Sequence, residues 1–425
     1  MEEKNWFKPR HYLHFDRPVG ARAASKYVSD PAKVRAHSFY PFIRNTTVTR
    51  KIKFNPILKK FELLEKLRPI SYAAHMDSNI YAYYASLLSI MYEQKIRAYG
   101  LHTSVLAFRS LDGQSNIHHA YNAFQEIKAR PECSVLCFDI EKFFDKLDHN
   151  ILKKIWQDVI GEVSLPCDHY AVFKSITKYS YVSKVESFRA LGISIYNPVV
   201  EGKRLCSAGD FRALIRRNNL VVPNSESYGI PQGSPISAIL SNIYMLGFDK
   251  AMLYHLSTTE SVYYRYCDDI MIICPLAAEE YIEECVYQEI KKIMLNIQHK
   301  KTDIRQFTRD SSGKLGSDRP IQYLGFMFDG ERIFIRSASL TRYYKKMKIR
   351  VGLAKKAKDR VNALRRVRGE ADKELFLKAI YKGYTHLGRR NFITYGHRAA
   401  NIMNSKTIRQ QLRAHWRKVR REIET

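Results

Sequence analysis

The sequence has no apolar run approaching the roughly 18 residues that cross a bilayer, so it encodes no membrane-spanning helix. It has no C-x-x-C pair: its seven cysteines fall at 133, 137, 167, 206, 267, 274 and 285. An odd count without a signal peptide points to a reducing cytosol. Cys133 and Cys137 flank an apolar strand and read as buried thiols. No heptad array, internal repeat or low-complexity tract is present, which argues against coiled-coil and solenoid architectures. Acidic residues are scarce at both ends. Residues 1–60 carry 14 Lys/Arg against 4 Asp/Glu, residues 341–425 carry 25 against 6, and residues 61–340 carry 32 of each. The net charge of +29 therefore resides in the flanks. Charge serving solubility alone would be spread evenly, whereas cationic ends around a neutral centre suit a catalytic core flanked by surfaces that grip a polyanion.

Hydrophobic residues at 45% and charged residues at 27% belong to a folded chain. The 425 residues allow two or three domains, or one enzyme with subdomains. Between Tyr263 and Cys274 two adjacent aspartates, Asp268 and Asp269, separate an aromatic run from a β-branched one. Both runs have strand composition, so the stretch predicts a hairpin with Tyr266-Cys267-Asp268-Asp269 at its tip. An acidic turn is the plain reading. Yet two acids side by side between buried strands cost solvation and repel each other unless a cation sits there. A second acidic cluster, Asp139, Asp145 and Asp148, begins at the end of an apolar strand over 134–139. Laid beside the hairpin, that strand brings distant carboxylates together. Such a set holds two Mg²⁺ about 3.5–4 Å apart, as nucleotidyl transfer requires.

Patterning elsewhere predicts short strands over 51–54, 60–64, 67–72 and 105–109, and another over 323–328. Helices are predicted over 78–95, capped at Asp77-Ser78, and over 115–129, 234–251 and 279–294. Residues 1–50 show no clean period. Beyond Leu340 an apolar stripe (Met347, Val351, Ala354, Ala357, Val361, Leu364) runs along a Lys/Arg-rich helix, and a basic helical pattern resumes over 406–423. A partner helix is the plain alternative, but acids are too few to balance the basic face. Lys355, Arg365, Arg366, Arg413 and Arg417 are therefore expected to meet nucleic acid.

Phe138-Asp139-Ile-x-x-Phe-Phe144-Asp145, Gly229-Ile-Pro-Gln232-Gly-Ser-Pro-Ile-Ser and Tyr266-Cys-Asp268-Asp269 resemble motifs A, B and C of reverse transcriptases, in that order. Lys300-Lys301-Thr302 resembles the motif D lysine region, and Tyr323–Phe328 the primer-grip strand pair called motif E. Arg68-Pro-Ile and Ala107-Phe-Arg109 are similar to finger motifs of the bacterial, group II intron-like branch. The resemblance spans about residues 50–340 and implies an α+β right-hand polymerase fold: fingers, palm with an antiparallel sheet, and a helical basic thumb. It divides the chain into a basic extension (1–50), fingers (51–130), palm (131–320, with a fingers-type insertion at 151–228), primer-grip strands (321–340) and thumb (341–425). It implies an RNA-directed DNA polymerase using Mg²⁺, with Asp139, Asp268 and Asp269 catalytic and, with the Ile140 carbonyl, metal-binding. Phe144 falls where the aromatic under the sugar rejects a 2′-OH, and Gln232 where the incoming nucleotide or template is touched. Arg68 and Arg109 fall where the triphosphate is met, and Lys301 where the pyrophosphate is protonated. A structural salt bridge for either arginine, or a solvated Lys301, is the alternative.

Departures narrow the family. Cys267 stands where Ala, Met or Val is usual, Asn122-Ala-Phe-Gln-Glu126 is not the Asn-Ala-x-x-His of retron enzymes, and no Val-Thr-Gly occurs in the thumb. The chain ends without room for an endonuclease, integrase or RNase H domain. These features, with the helix from Asp77, resemble the stand-alone defence-associated antiphage reverse transcriptases. That resemblance implies a structured non-coding RNA template, dNTP substrates, a DNA product and no membrane partner. A maturase-like RNA-binding scaffold and a template-independent or protein-primed polymerase are the alternatives. Nothing in the sequence sets an oligomeric state.

Overall fold

Alternating β-branched and charged residues from Phe42 onward build the longest strands of the molecule. In the computed structural model, which describes residues 6–55 and 58–425, β1 (Phe42–Asn55) and β2 (Lys60–Tyr72) form one antiparallel ribbon. Its register is continuous from Ile43 opposite Tyr72 to Asn55 opposite Lys60. What the sequence divides into three short strands is thus two long ones. Pro69 is tolerated because β2 is an edge strand.

The chain continues with β3 (Cys133–Asp139), β4 (Ser180–Ser183), β5 (Val222–Pro223), β6 (Val262–Tyr266), β7 (Asp269–Cys274) and β8 (Asp303–Arg309). Then come β9 (Leu315–Gly316), β10 (Ile321–Tyr323), β11 (Phe326–Phe328) and β12 (Ile333–Ile335). Among the described residues they make three sheets, ordered β2-β1-β4-β5, β6-β7-β3-β8-β9 and β10-β11-β12. The five-stranded sheet is antiparallel throughout. Its two faces serve two cores. Leu136, Phe138, Ile270 and Ile272 pack under the helices His75–Ala98, Ser237–Tyr244, Leu246–Leu256 and Glu279–Lys292. Val135, Met271, Ile273 and Phe307 pack against the helix Asn116–Ala129, the three-stranded sheet and the C-terminal helices. Burial on both faces explains why β3 and β7 read as continuous apolar runs. Each such side chain removed from water contributes about 1.5–3 kcal/mol. The architecture is α+β, a right hand with an antiparallel palm sheet and a helical thumb.

Several local expectations are corrected. Residues 21–35 form two short helices, Ala21–Val28 and Pro31–Arg35. Asp77 is no cap: it lies buried inside its helix, where it accepts hydrogen bonds from His37 Nε2 (2.8 Å) and the Tyr40 N–H (2.9 Å). Asp16 caps instead, accepting from the N–H groups of His75 (2.9 Å) and Met76 (3.0 Å). The expected strand over 105–109 reduces to one bridge between Val105 and Arg265, since Phe108 takes a φ of 61° that no strand accommodates. The helix expected over 234–251 is two, meeting at Met245. The strand expected over 323–328 turns at Leu324-Gly325, both at positive φ. In the thumb helix Ser337–Val367, Met347 and Val351 are buried against Ile380 and Val419, but Val361 and Leu364 remain exposed, so the apolar stripe packs only along its first half.

Candidate active site

β3 and β7 are neighbours, and their register sets Asp139 opposite Asp269. Opposite residues on antiparallel strands have Cβ atoms about 4.5–5.5 Å apart on one face, where like charges repel. Asp268 sits in the two-residue loop Cys267-Asp268, so Asp269 opens β7 rather than belonging to the turn. Cys267 has a φ of 62°, which the tight loop imposes on its first residue. The Ile140 N–H donates to the Asp268 carbonyl (3.2 Å) and ties the loop to the end of β3. Burial, then the charges of Asp268 and Asp139, push the Asp269 carboxyl up to about 7, against a lowering by Lys301. The Lys301 ammonium pairs with Asp139. It reaches because the chain after β3 pairs onward with 296–298: the Glu141 N–H donates to the Asn296 carbonyl and the Gln298 N–H to the Asp139 carbonyl, both at 2.8 Å.

Of the three expected carboxylates, the strand register sets Asp139 opposite Asp269. Among the described residues no three His, Cys, Asp or Glu side chains form a group able to hold a metal ion by themselves. Asp139 is engaged by Lys301, and Asp268 stands on the loop rather than on a strand. A hard divalent ion still fits. Mg²⁺ takes one or two carboxylates and completes its shell with water and substrate phosphates. A carboxyl held near 7 by burial and then by two neighbouring acids, with an ammonium against the facing acid, marks a place that accepts added positive charge. Beside Asp269 lies a cleft of about 310 Å³, lined also by Asn116, Tyr266, Gln322, Tyr323 and Gly325. The β10–β11 turn therefore faces the acids, and Asn116 Nδ2 steadies it through the Leu324 carbonyl (3.2 Å). A cavity of about 910 Å³ beside β8 and β9 touches none of these residues.

A second group forms around the Gly229–Gly233 loop. Its Gly229 has a φ of 87°, and a Cβ there would stand 3.0 Å from the Asp145 carbonyl oxygen. His149 Nε2 bonds the Gly229 carbonyl (2.8 Å), and the Ile230 N–H donates to the Phe144 carbonyl (2.9 Å). Phe144 is half-buried against buried Phe143, with ring centroids 5.5 Å apart. Gln232 is exposed, and its carbonyl accepts from the Ser71 N–H at the end of β2 (2.8 Å). The loop thus joins the foot of the ribbon to the segment after β3. Arg68 is exposed on that ribbon, opposite Thr47.

Other expected contact residues are engaged within the chain. The Arg109 side chain is buried, and its guanidinium is occupied by Glu93 Oε1 (2.8 Å), Glu93 Oε2 (2.9 Å) and the His102 carbonyl (2.8 Å), so it braces the fold. Lys355 donates to the Glu422 carbonyl (2.8 Å), because the last helix packs across the thumb helix. Arg365 bonds the Ala371 carbonyl (2.8 Å) and Glu370 (2.6 Å), and Arg366 pairs with Asp372; both close the turn after the helix. Arg413 and Arg417 are exposed and have no ion pair among the described residues.

Sequence reasoning missed the support of the acidic hairpin. Arg265 is fully buried; its Nε lies 2.7 Å from Asp249 Oδ1 and its Nη2 2.6 Å from Oδ2, and it also bonds Asn242 Oδ1 (3.1 Å) and the Cys267 carbonyl (3.2 Å). Asp249 accepts from the Tyr263 hydroxyl as well (2.6 Å). A buried charge pair with its remaining valences filled fixes the loop that carries Asp268. The signal was there: period-two alternation puts Arg265 on the inner face with Tyr263 and Cys267, and a buried arginine needs a carboxylate.

A family model described as reverse transcriptase (RNA-dependent DNA polymerase) matches residues 57–328. No curated protein matches the sequence. Among solved structures, similarity extends to an apo telomerase from Candida tropicalis truncated from its C-terminal domain, with a TM-score of 0.42, 13% identity, and coverage of 74% of this chain and 59% of that one. It also extends to telomerase from Candida albicans in complex with a fragment of telomeric RNA, with a TM-score of 0.41, 13% identity, and coverage of 95% and 66%. The chain spans about three fifths to two thirds of those telomerase chains.

Proposed function

The chain belongs to the reverse transcriptase (RNA-dependent DNA polymerase) family, and on that premise we propose that it copies an RNA template into DNA at the Asp139/Asp269 cleft. The observation that carries this reading is the cross-strand acidic pair, one member of it pushed up to about 7 by burial and by its neighbouring acids. Asp139 and Asp269, with Asp268 and the Ile140 carbonyl, would hold Mg²⁺, which when bound activates the primer 3′-hydroxyl and neutralises charge on the departing pyrophosphate. Lys301 carries its ammonium to the same acids and supplies the proton that the leaving pyrophosphate takes up. Phe144 lies under the sugar of the incoming dNTP and rejects a 2′-hydroxyl, which alone separates the two nucleotide classes. Gln232 and Arg68, at the foot and on the flank of the ribbon, contact the template base and the triphosphate. Arg413 and Arg417 grip backbone phosphates of the product duplex.

The finer reading follows from the motif departures. The enzyme is of the bacterial, group II intron-like branch and acts in antiphage defence. A structured non-coding RNA held by the basic flanks serves as its template. No helix among the described residues is long and apolar enough to cross a membrane, all seven cysteines are free, and we assign the protein to the cytoplasm. The test is incorporation of dNTPs on primed RNA with Mg²⁺, paired with sequencing of the nucleic acid that co-purifies. One dominant RNA species and its complementary DNA are expected; a random RNA population would remove the dedicated template.

A further inference from the structure

A second cavity, of about 420 Å³, lies where the N-terminal segment 7–19 folds over the start of the helix His75–Ala98 and meets Lys203. It shares no lining residue with the cleft at Asp269. Phe7, Leu13 and Val19 give it apolar walls, and Lys8, Arg10 and Lys203 give it a cationic rim; among the described residues no Asp or Glu lines it. The acid that touches the lining, Asp16, is already engaged by His75 Nδ1 (2.7 Å) and two helix N–H groups. The loop bearing Lys203 is tied to the N-terminal segment by the Leu205 N–H, which donates to the His14 carbonyl (2.8 Å).

Asn79 is the decisive side chain. It is only 3% exposed and lines this cavity, and its amide has no hydrogen-bond partner among the described residues. A carboxamide that opens on a cavity offers two donors and an acceptor to whatever occupies it. Arg10 Nε is likewise buried without a partner. Apolar walls, a rim of three cations and an unmet carboxamide match a nucleoside phosphate: a ring to bury, an anion to neutralise and a polar edge to bond. The volume lies within the range of small-ligand pockets.

We propose that this cavity is a second nucleotide-binding site, which takes a nucleoside phosphate with its anion against Lys8, Arg10 and Lys203 and its base or ribose against Asn79. The same chemistry is offered by a free nucleotide and by the phosphorylated end of an RNA strand. The site stands apart from the polymerase reading and survives its failure.

The experiment uses the full chain carrying Asp139→Asn and Asp269→Asn, in EDTA, so that the acidic cleft adds no signal. Calorimetric titration with ATP, GTP, CTP and UTP forms one arm. A short RNA bearing a 5′-triphosphate, compared with its 5′-hydroxyl counterpart, forms the other. Binding in the first arm identifies a free nucleotide; a preference of at least tenfold for the 5′-triphosphate RNA, in the second arm alone, identifies a strand end. In either case Lys203→Glu, an exposed change, weakens binding at least about tenfold, and Asn79→Ala alters the preference among bases at least about fivefold. Absence of binding in both arms overturns the proposal, as does binding that neither substitution alters.

Discussion

The molecule contains two prominent hairpins, and they are built on opposite terms. β6–β7 is short, lies within a five-stranded sheet, and places charge where it is least tolerated: Arg265 fully buried, Asp269 opposite Asp139. β1–β2 is more than twice as long, yet presents its apolar side chains to water. Ile52 is 71% exposed and Phe61 74%, and Val48, Phe54, Leu63 and Leu67 share their face. The first hairpin is over-determined by partners on every side. The second is held mainly by its own ladder and at its foot, where Ser71 meets Gln232. Stability is thus concentrated beneath the acids, so a change there propagates into the site, whereas the ribbon can vary without unfolding the core.

The contrast breaks most sharply at Asp249. Asp249→Ala strands the Arg265 guanidinium in the core and is expected to cost about 3–5 kcal/mol in denaturant unfolding. The paired change Asp249→Leu with Arg265→Met recovers most of that loss, since it leaves no buried charge. Gly233→Ala comes next. Its φ of 114° is strained for any side chain, and the new Cβ would meet the Ser71 carbonyl oxygen at 2.6 Å. A loss of about 1–3 kcal/mol is expected by the same measurement, together with a raised KM for dNTPs.

A smaller effect is electrostatic. With its carboxyl up near 7, folded Asp269 keeps a proton that the unfolded chain releases near 4. Its contribution to metal-free stability is therefore present below about pH 4 and is lost as pH rises through 7. Divalent-ion affinity runs the other way, increasing from pH 6 to 8 by up to about tenfold per unit below 7, as ion-dependent Tm shifts would record. Asp268→Asn removes one of the causes and moves that midpoint down. The smallest effect belongs to the ribbon. Ile52→Thr with Leu63→Thr should change global stability by no more than about 0.5 kcal/mol, because these residues are already in water. A loss of several kcal/mol would erase the distinction between the hairpins.

What was legible in the sequence was whatever rests on local order. Strand composition around Asp139 and Asp268-Asp269 marked both strands, and their adjacency followed from the demand that isolated acids be compensated. Helices with a clear period, such as Asn116–Ala129, fell within a residue or two. What was not legible depends on partners far along the chain. Arg109 looks the same in sequence whether it meets a phosphate or Glu93. The charges of Lys355 and Arg365 seemed available until the chain returned past them with Glu422 and the 370–371 turn. Phe108 has strand composition, but a left-handed backbone there is imposed by the turn that follows the Val105 bridge. Asp77 resembled a cap because the competing carboxylate, Asp16, lies 61 residues earlier.

The most direct test is primer extension on RNA with Mg²⁺ and dNTPs, comparing the natural chain with Asp139→Asn and Asp269→Asn, each shown by its unfolding curve to be folded. Each substitution is expected to lower the rate by about a thousandfold or more, equivalent to about 4 kcal/mol of transition-state stabilisation. Extension at the natural rate by either folded variant would contradict the polymerase reading.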